Sequence, residues 1–181
     1  MIEIRWHGRG GQGAVTSVEL LAVAAIDEGK HAQAFPSFGP ERRGAPVEAF
    51  NRVDQKQIKV RSRIYNPDVA VVLDEGLVGL VNVAAGLKPD GILIVNTAKS
   101  AEEVKQTLNY KGKIATVDAT GIAWKELGVP ITNTTMLGAL VKVTKVVKLD
   151  SLRAPVEHRF GRIASKNMAA LKRAYDEVKI Q

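Results

Sequence analysis

The chain opens on alternating hydrophobic and polar residues, followed by a glycine-dense turn and then by hydrophobic residues at helical spacing. The alternation over residues 2–6 predicts a short first strand. Four glycines crowd residues 8–13, and the apolar positions of residues 14–29 recur with a helical period that Gly29 is expected to end. A strand, a glycine turn and a helix in this order are typical of the first βαβ unit of a nucleotide-binding fold.

The stretch that follows this helix has a different pattern. Residues 31–38 are typical of an extended chain, and residues 38–46 are so rich in glycine and proline that they predict a shaped loop. Residues 47–53 and 56–64 then resemble two strands joined by a turn. We therefore expect an antiparallel hairpin insert at about residues 45–64, which a purely parallel sheet would lack.

Hydrophobic runs and helical periods alternate over the remainder of the chain. The buried-strand patterns cover residues 67–74, 90–97 and 113–119. The helical patterns cover residues 76–86, 101–108, 120–128, 133–147, 151–160 and 162–178. Strands that alternate with helices predict an α/β fold. We expect a single Rossmann-like three-layer domain over residues 1–181, with a mostly parallel mixed sheet, the hairpin insert and a C-terminal helix pair.

The composition of the chain restricts its possible chemical functions more than it restricts its possible folds. The 181 residues include no cysteine, which excludes disulfides, thiolate zinc sites, cysteine nucleophiles and any iron–sulfur cluster ligated by this chain. Hydrophobic residues make up 45% and charged residues 25% of the chain, the balance of a globular protein rather than a disordered one. The sequence predicts neither a secretion signal nor a membrane span, so we expect a cytoplasmic protein.

The formal charge of +7 favours an acidic partner, which could be a nucleic acid, a phosphorylated ligand or another subunit. The excess is greatest near the C-terminal end, where residues 140–181 hold ten basic and four acidic side chains. Only 5% of the residues are aromatic, which leaves little material for stacking single-stranded bases. We therefore expect neither a nucleic acid nor a membrane as a partner.

The glycine turn is the first candidate binding site. Its residues are Gly8, Arg9, Gly10, Gly11, Gln12 and Gly13. Glycines let the backbone approach a ligand closely, and the amides at a helix N-terminus favour a phosphate or another anion. The turn matches the G-x-G-x-x-G spacing, but no acidic residue follows the second predicted strand to bind the ribose of a nicotinamide dinucleotide. An anion-binding turn and a purely structural turn both explain the pattern.

Two adjacent arginines, Arg42 and Arg43, form the second candidate site. They lie among glycine and proline residues, outside any predicted helix or strand. Paired guanidinium groups bind carboxylates and phosphates, so ligand contact is one interpretation. A contact surface for another subunit and a solvated basic loop are the other two.

The remaining polar candidates have simpler explanations. Asp74 and Glu75 follow a predicted strand, where open α/β sheets bind ligands, but acids at a helix N-terminus explain them as well. Asn133 is interpreted as a helix cap. The three histidines are scattered and show no metal-binding spacing, and only His7 lies beside the glycine turn. We therefore predict no metal site and no catalytic residue in this chain.

Four segments of the chain, taken in order, resemble one protein family. The segments are RWHGRGGQGAVT, AFPSFGPERRGAPVEAFNRV, NPDVAVVLDEGL and ITNTTMLGAL. Together they resemble the gamma subunits of 2-oxoacid:ferredoxin oxidoreductases, and most closely those of the pyruvate type, also called pyruvate synthases. The resemblance runs across most of the chain and is weakest after about Asp150.

The resemblance implies a subunit of an enzyme that converts a 2-oxoacid and coenzyme A into acyl-CoA and carbon dioxide, with electrons passed to ferredoxin. It implies catalytic alpha and beta subunits and a ferredoxin-like delta subunit as partners. The complex is expected to use thiamine diphosphate, Mg²⁺, 4Fe-4S clusters and coenzyme A. None of these is expected on this chain alone, which has no cysteine and no GDG…N segment. By analogy, Arg9, Arg42 and Arg43 are candidates for contacting the polyanionic coenzyme A.

Two other functions account for parts of the pattern. A stand-alone nucleotide-binding α/β module or dehydrogenase would explain the strand, the glycine turn and the helix. A nucleic-acid binder would explain only the positive charge. The subunit accounts for all four family-like segments, and we expect the isolated chain to be inactive.

Overall fold

The computed structural model describes residues 1–37 and 43–181. The strands are β1 (Ile2–Arg9), β2 (His31–Pro36), β3 (Pro46–Asp54), β4 (Val69–Val72), β5 (Ile92–Asn96), β6 (Lys113–Val117) and β7 (Lys179–Ile180). The helices are α1 (Ala14–Asp27), α2 (Ala101–Leu108), α3 (Ala119–Leu127), α4 (Asn133–Thr144), α5 (Arg153–Phe160) and α6 (Ala164–Glu177). Short 3₁₀ helices cover Glu75–Leu77, Leu149–Leu152 and Gly161–Ile163.

Within the described residues, the strands form one sheet in the order β2-β3-β1-β4-β5-β6-β7. At its centre, β1, β4, β5 and β6 form parallel pairs. β3 pairs antiparallel with both β1 and β2, and β7 pairs antiparallel with β6. Because two antiparallel steps restore the direction, β2 runs the same way as β1, and five of the seven strands share one direction. The predicted mixed, mostly parallel sheet is confirmed.

Side chains on the two faces of the sheet form two hydrophobic cores. On one face, Ile4 and Trp6 of β1 pack with residues of α1, α3, α4, α5 and α6. On the other face, Ala70 and Val72 of β4 pack with α2 and with the segment after β4. Successive residues of a strand point to opposite faces, so the central strands serve both cores. Helices on both faces complete the three layers that the alternating pattern predicts.

The antiparallel hairpin differs from the one predicted at about residues 45–64. β3 confirms a strand over residues 47–53, but its hairpin partner is β2 rather than residues 56–64. β1 occupies the other edge of β3, so residues 56–64 find no free edge there and form no strand. Side chains hold this segment instead: Gln33 Nε2, for example, donates to the carbonyl oxygen of Val60 at 3.0 Å.

The helix predicted over residues 76–86 is also absent from this part of the described chain. The structure has the 3₁₀ helix Glu75–Leu77, followed by turns. Three glycines within the stretch explain the difference, because each lowers the helix propensity by about 1 kcal/mol. Leu77 and Val83 are fully buried all the same, so the segment covers the second core without forming an α-helix.

The predicted C-terminal helix pair is confirmed as α5 and α6, and α6 packs closely across α4. At the crossing, a Cβ on Gly138 would overlap the carbonyl oxygen of Leu171, so the two helix backbones touch. The short strand β7 then adds to the edge of the sheet, with Ile180 opposite Ala115. Every helix of the described residues is too short or too polar to cross a bilayer.

Candidate ligand-binding site

The glycine turn connects β1 to α1 at the edge of the sheet where the parallel strands end. Gly11 (φ +94°) and Gly13 (φ +80°) adopt the left-handed backbone conformation, which residues with side chains rarely adopt. Gly13 is the N-cap of α1, and no side chain caps this helix end. The turn that the sequence predicts therefore lies where open α/β sheets bind ligands, with the first amides of α1 uncapped.

Hydrogen bonds fix the shape of the glycine turn and join it to the loop that carries Arg43. Gln12 Oε1 accepts from the amide of Arg9 at 2.8 Å. The amide of Gly10 donates to the carbonyl oxygen of Ala45 at 2.9 Å, and the carbonyl oxygen of Gly10 accepts from the amide of Gly44 at 3.1 Å. The turn and the described part of the loop thus form one structural unit.

One carboxylate, that of Asp74 just after β4, holds two side chains of the turn. Arg9 Nε donates to Asp74 Oδ2 at 3.1 Å, and Gln12 Nε2 donates to the same oxygen at 2.6 Å. Asp74 Oδ1 accepts from the amide of Gly76 at 2.7 Å, which caps the 3₁₀ helix. The sequence predicts an acid at a helix N-terminus here, and Asp74 lies at the N-terminus of this 3₁₀ helix. The link to the turn depends on the pairing of β1 with β4 and leaves no signal in the sequence.

The arginines of the site differ in their surroundings. Arg9 is paired with Asp74, so its charge is compensated within the chain. Arg43 is exposed, and its Cγ lies 4.0 Å from the position of a Cβ on Gly11. Arg42 lies outside the described residues. Arg43 is therefore the described arginine that presents an exposed charge beside the glycine turn.

A cleft of about 410 Å³ lies beside the turn, along the ends of β4, β5 and β6. The carboxylates of Asp74, Glu75 and Asp118 line it. Its buried amide, Asn96, is used within the protein, since Asn96 Nδ2 donates to the carbonyl oxygen of Leu73 at 2.8 Å. Arg9 pairs with Asp74 and Lys99 pairs with Glu75 at 2.7 Å, so Asp118 is the carboxylate of the cleft that has no ion pair within the described residues. Its charge disfavours a phosphate inside the cleft relative to the glycine turn.

The start of α4 lies against the start of α1. A Cβ on Gly13 would lie 2.5 Å from Asn133 Nδ2, and Ser17 Oγ donates to the carbonyl oxygen of Asn133 at 3.3 Å. The N-cap of α4 is Thr132, so Asn133 is the first helical residue rather than the predicted cap. Its side chain is buried at the junction of the two helix starts, and this contact is not evident from the sequence.

His7, which the sequence places beside the glycine turn, is buried within the protein and has a structural role. It is 3% exposed, and its Nε2 accepts a hydrogen bond from Arg5 Nε at 3.0 Å. Burial, and then the neighbouring charge of Arg5, lower the pKa of His7 to about 3. The imidazole is therefore neutral near pH 7. Within residues 1–37 and 43–181, no three His, Cys, Asp or Glu side chains are grouped to hold a metal ion.

Comparisons with known proteins agree along the whole chain. The family model described as pyruvate ferredoxin/flavodoxin oxidoreductase matches residues 3–177. The common gamma subunit of the pyruvate/ketoisovalerate oxidoreductases of Thermococcus kodakarensis is 57% identical, over 98% of this chain and 97% of that protein. The pyruvate synthase subunit PorC of Methanothermobacter marburgensis is 53% identical, over 99% of this chain and 98% of that protein.

A solved structure gives the same result for the fold. The crystal structure of the pyruvate oxidoreductase subunit PORC from Thermotoga maritima matches with a TM-score of 0.90 and 46% identity, over 99% of this chain and 98% of that one. The likeness seen in four segments of the sequence thus extends over the whole chain. The chain belongs to the pyruvate ferredoxin/flavodoxin oxidoreductase family, and it is of the gamma, or PorC, type of subunit within this group of oxidoreductases.

Proposed function

We propose that the chain is the gamma subunit of a thiamine-dependent oxidoreductase that acts on pyruvate or a related 2-oxoacid. The enzyme would form acyl-CoA and carbon dioxide from the 2-oxoacid and coenzyme A and pass the electrons to ferredoxin. Identity above one half to full-length gamma and PorC subunits supports this proposal. Catalytic alpha and beta subunits and a ferredoxin-like delta subunit are the proposed partners. The family match over residues 3–177 supports a single functional domain.

The residues of this chain do not fit the redox and thiamine cofactors of such an enzyme. An iron–sulfur cluster is held mainly by thiolates, and the chain has no cysteine. Thiamine diphosphate is bound through Mg²⁺, which takes oxygen ligands, and the sequence has no GDG…N segment to supply them. We therefore assign the clusters, Mg²⁺ and thiamine diphosphate to the other subunits.

Coenzyme A is the ligand for which this chain offers suitable groups. The observation that supports coenzyme A binding is the uncapped start of α1 at the glycine turn, with the exposed Arg43 beside it. Helix N-terminal amides and guanidinium groups both bind phosphate, and coenzyme A is rich in phosphate. The proposed site consists of Gly8, Arg9, Gly10, Gly11, Gln12, Gly13, Arg42 and Arg43. Arg9 would act mainly by holding the turn through Asp74.

The purified chain should not reduce ferredoxin with pyruvate and coenzyme A, because its residues fit neither a cluster nor thiamine diphosphate. Co-expression with the alpha, beta and delta subunits should give a complex with coenzyme A-dependent activity. The measurement is ferredoxin reduction followed by absorbance, with the complex lacking this chain as the control. Turnover of pyruvate by the isolated chain would contradict the proposal.

Replacing Arg43 with alanine, alone and together with Arg42→Ala, should raise the KM for coenzyme A of the assembled enzyme. The loss of one exposed, charge-assisted contact costs about 1 kcal/mol, or roughly a fivefold rise in KM. The KM for pyruvate should not change. Arg162→Ala, which removes an exposed arginine near the C-terminal helix pair, is the matched control. If the double variant saturates with coenzyme A as the wild type does, the loop is not part of the site.

A further inference from the structure

The strand β2 lies at one end of the sheet, and its outer edge has no partner strand among the described residues. Next to β2, the amide of Ser37 donates to the carbonyl oxygen of Glu48 on β3 at 2.8 Å. Pairs that make such bonds alternate along antiparallel strands with pairs that make none, and Ala32 and Ala34 belong to the second kind. Their N–H and C=O groups therefore point away from the sheet, toward the open edge.

The open edge is accessible and its backbone groups are unpaired. Within residues 1–37 and 43–181, no hydrogen bond outside the sheet ladders uses the backbone of Ala32 or Ala34, and Ala34 is exposed. An exposed strand edge with free donors and acceptors is a template for pairing with another strand. Lysine often blocks such an edge, but the sequence of β2, HAQAFP, contains neither lysine nor arginine.

A basic strap, defined as residues 56–63, lies against β2. It contains four lysine and arginine residues and no acidic residue. Gln33 Nε2 of β2 donates to the carbonyl oxygen of Ile58 at 3.4 Å and to that of Val60 at 3.0 Å. The strap is thus held beside the open edge by a side chain of the edge strand itself.

Most of the positive charge of the strap is not neutralised within the described part of the chain. Arg63 pairs with Glu48, whereas Lys56, Lys59 and Arg61 are exposed and belong to no ion pair there. Clustered like charges repel one another and destabilise the folded chain. Acidic side chains of a partner would relieve this repulsion.

We propose that an extended, acidic segment of another subunit pairs with the open edge of β2 and adds one strand to the sheet. Its backbone would bond to Ala32 and Ala34, and its aspartate or glutamate side chains would contact Lys59 and Arg61. Val60, which is 43% exposed between these two cations, adds apolar contact area that suits a protein better than a nucleic acid. The inference rests on the proposed function, since it takes the partner from the subunits of the same complex.

Two other proteins fit this edge less well. A second copy of this chain would bring two basic straps together, and the chain as a whole already carries a formal charge of +7. Ferredoxin has to approach an iron–sulfur cluster to accept electrons, and this chain has no cysteine to hold one. A ladder of backbone hydrogen bonds suits the lasting contact of a subunit.

Hydrogen exchange of the amides of Ala32 and Ala34 tests the strand pairing. These amides should exchange rapidly in the isolated chain, and at least about tenfold more slowly in the complex with the alpha, beta and delta subunits. The amides of Gln33 and Phe35 are directed toward β3 and should exchange slowly in both states. Exchange within the complex, followed by NMR of the released ¹⁵N-labelled chain, gives the rate for each residue.

The double variant Lys59→Glu, Arg61→Glu tests the acidic character of the partner. It should raise the dissociation constant between this chain and the rest of the complex roughly tenfold at low salt, and less at about 0.5 M salt. The measurement is a titration of the complex that lacks this chain. Lys111→Glu with Lys113→Glu is the matched control, because it makes the same change in charge at exposed residues beside β6. The unfolding midpoint of each isolated variant separates weaker binding from a loss of fold.

Three results would overturn the inference. The first is exchange of the edge amides that is as fast in the complex as in the isolated chain, and the second is wild-type binding by the Lys59/Arg61 double variant. The third is a dimer of the isolated chain in which the edge amides are protected, which would assign the edge to a second copy.

These results are distinct from a failure of the proposed function. If the complex forms and reduces ferredoxin with coenzyme A while the edge amides stay unprotected, only the inference falls. If the wild-type chain does not bind the other subunits at all, the proposed function falls and the inference falls with it.

Discussion

Alanine at position 138 should destabilise the chain by about 3–5 kcal/mol, at the upper end of what single substitutions cost. Gly138 lies in α4 where this helix crosses α6, and a Cβ there would overlap the carbonyl oxygen of Leu171. The obstacle is a backbone atom, so no change of side-chain rotamer relieves the clash and the helices have to move apart. Moving them apart loosens the packing around Leu171, which lies at the crossing and is fully buried. The gain in helix propensity, about 1 kcal/mol, offsets only part of this loss.

Urea or thermal unfolding followed by circular dichroism measures the effect, and Gly29→Ala provides the control. Gly29, unlike Gly138, has a positive φ of +78°, and no atom lies within 4 Å of its Cβ position. Alanine there adds only backbone strain, about 1 kcal/mol. If Gly138→Ala were no more destabilising than Gly29→Ala, α4 and α6 would not approach each other as closely as the structure shows.

The elements that sequence reasoning predicts well are those with local signals. Alternation over residues 2–6 predicts β1, and helical spacing over residues 14–29 predicts α1. Both periods are short, so a single segment of the sequence is enough to show them. The hydrophobic runs over residues 67–74, 90–97 and 113–119 likewise contain β4, β5 and β6. A buried parallel strand needs apolar side chains on both faces, so its sequence signal is independent of its neighbours.

Contacts between distant segments have no such signal. Asn51 illustrates this in the middle of β3: its Oδ1 accepts from Trp6 Nε1 at 3.0 Å, and its Nδ2 donates to the carbonyl oxygen of Val18 at 2.8 Å. This buried amide links β1, β3 and α1, yet the sequence shows only a polar residue within a strand. The partner of β3 is missed for the same reason. Residues 31–36 and 56–64 both have an extended pattern, but β1 occupies one edge of β3, so only one of the two segments can pair with the other edge.

The candidate site also has parts that a local sequence signal predicts and parts that depend on contacts between distant segments. Composition is enough to locate the glycine turn, because a left-handed backbone at Gly11 and Gly13 favours glycine whatever the rest of the fold does. The contacts of Asp74 and Asn133 with that turn depend on where β4 and α4 come to lie. Local rules explain Asp74 as an acid at a helix N-terminus and Asn133 as a helix cap. The ligand contacts of Arg42 and Arg43 remain predictions.

Acidification from pH 7 to about pH 4.5 should cost about 2–3 kcal/mol of stability through His7 alone. Burial, and then the charge of Arg5, lower the pKa of His7 in the folded chain to about 3. In the unfolded chain the pKa of a histidine is about 6.5. Between these two values the unfolded chain binds a proton that the folded chain excludes, so the free energy of unfolding falls as the pH falls.

The variant His7→Gln separates this proton from the others that acid adds. Its Oε1 can accept from Arg5 Nε as His7 Nε2 does, and an amide does not titrate in this range. Chemical unfolding at pH 7 and about pH 4.5 should show a loss of stability that is about 2–3 kcal/mol smaller in the variant than in the wild type. His31→Gln, at an exposed histidine of β2, should keep the wild-type sensitivity to acid. If His7→Gln lost as much stability as the wild type, His7 would not be the group that burial and Arg5 keep neutral.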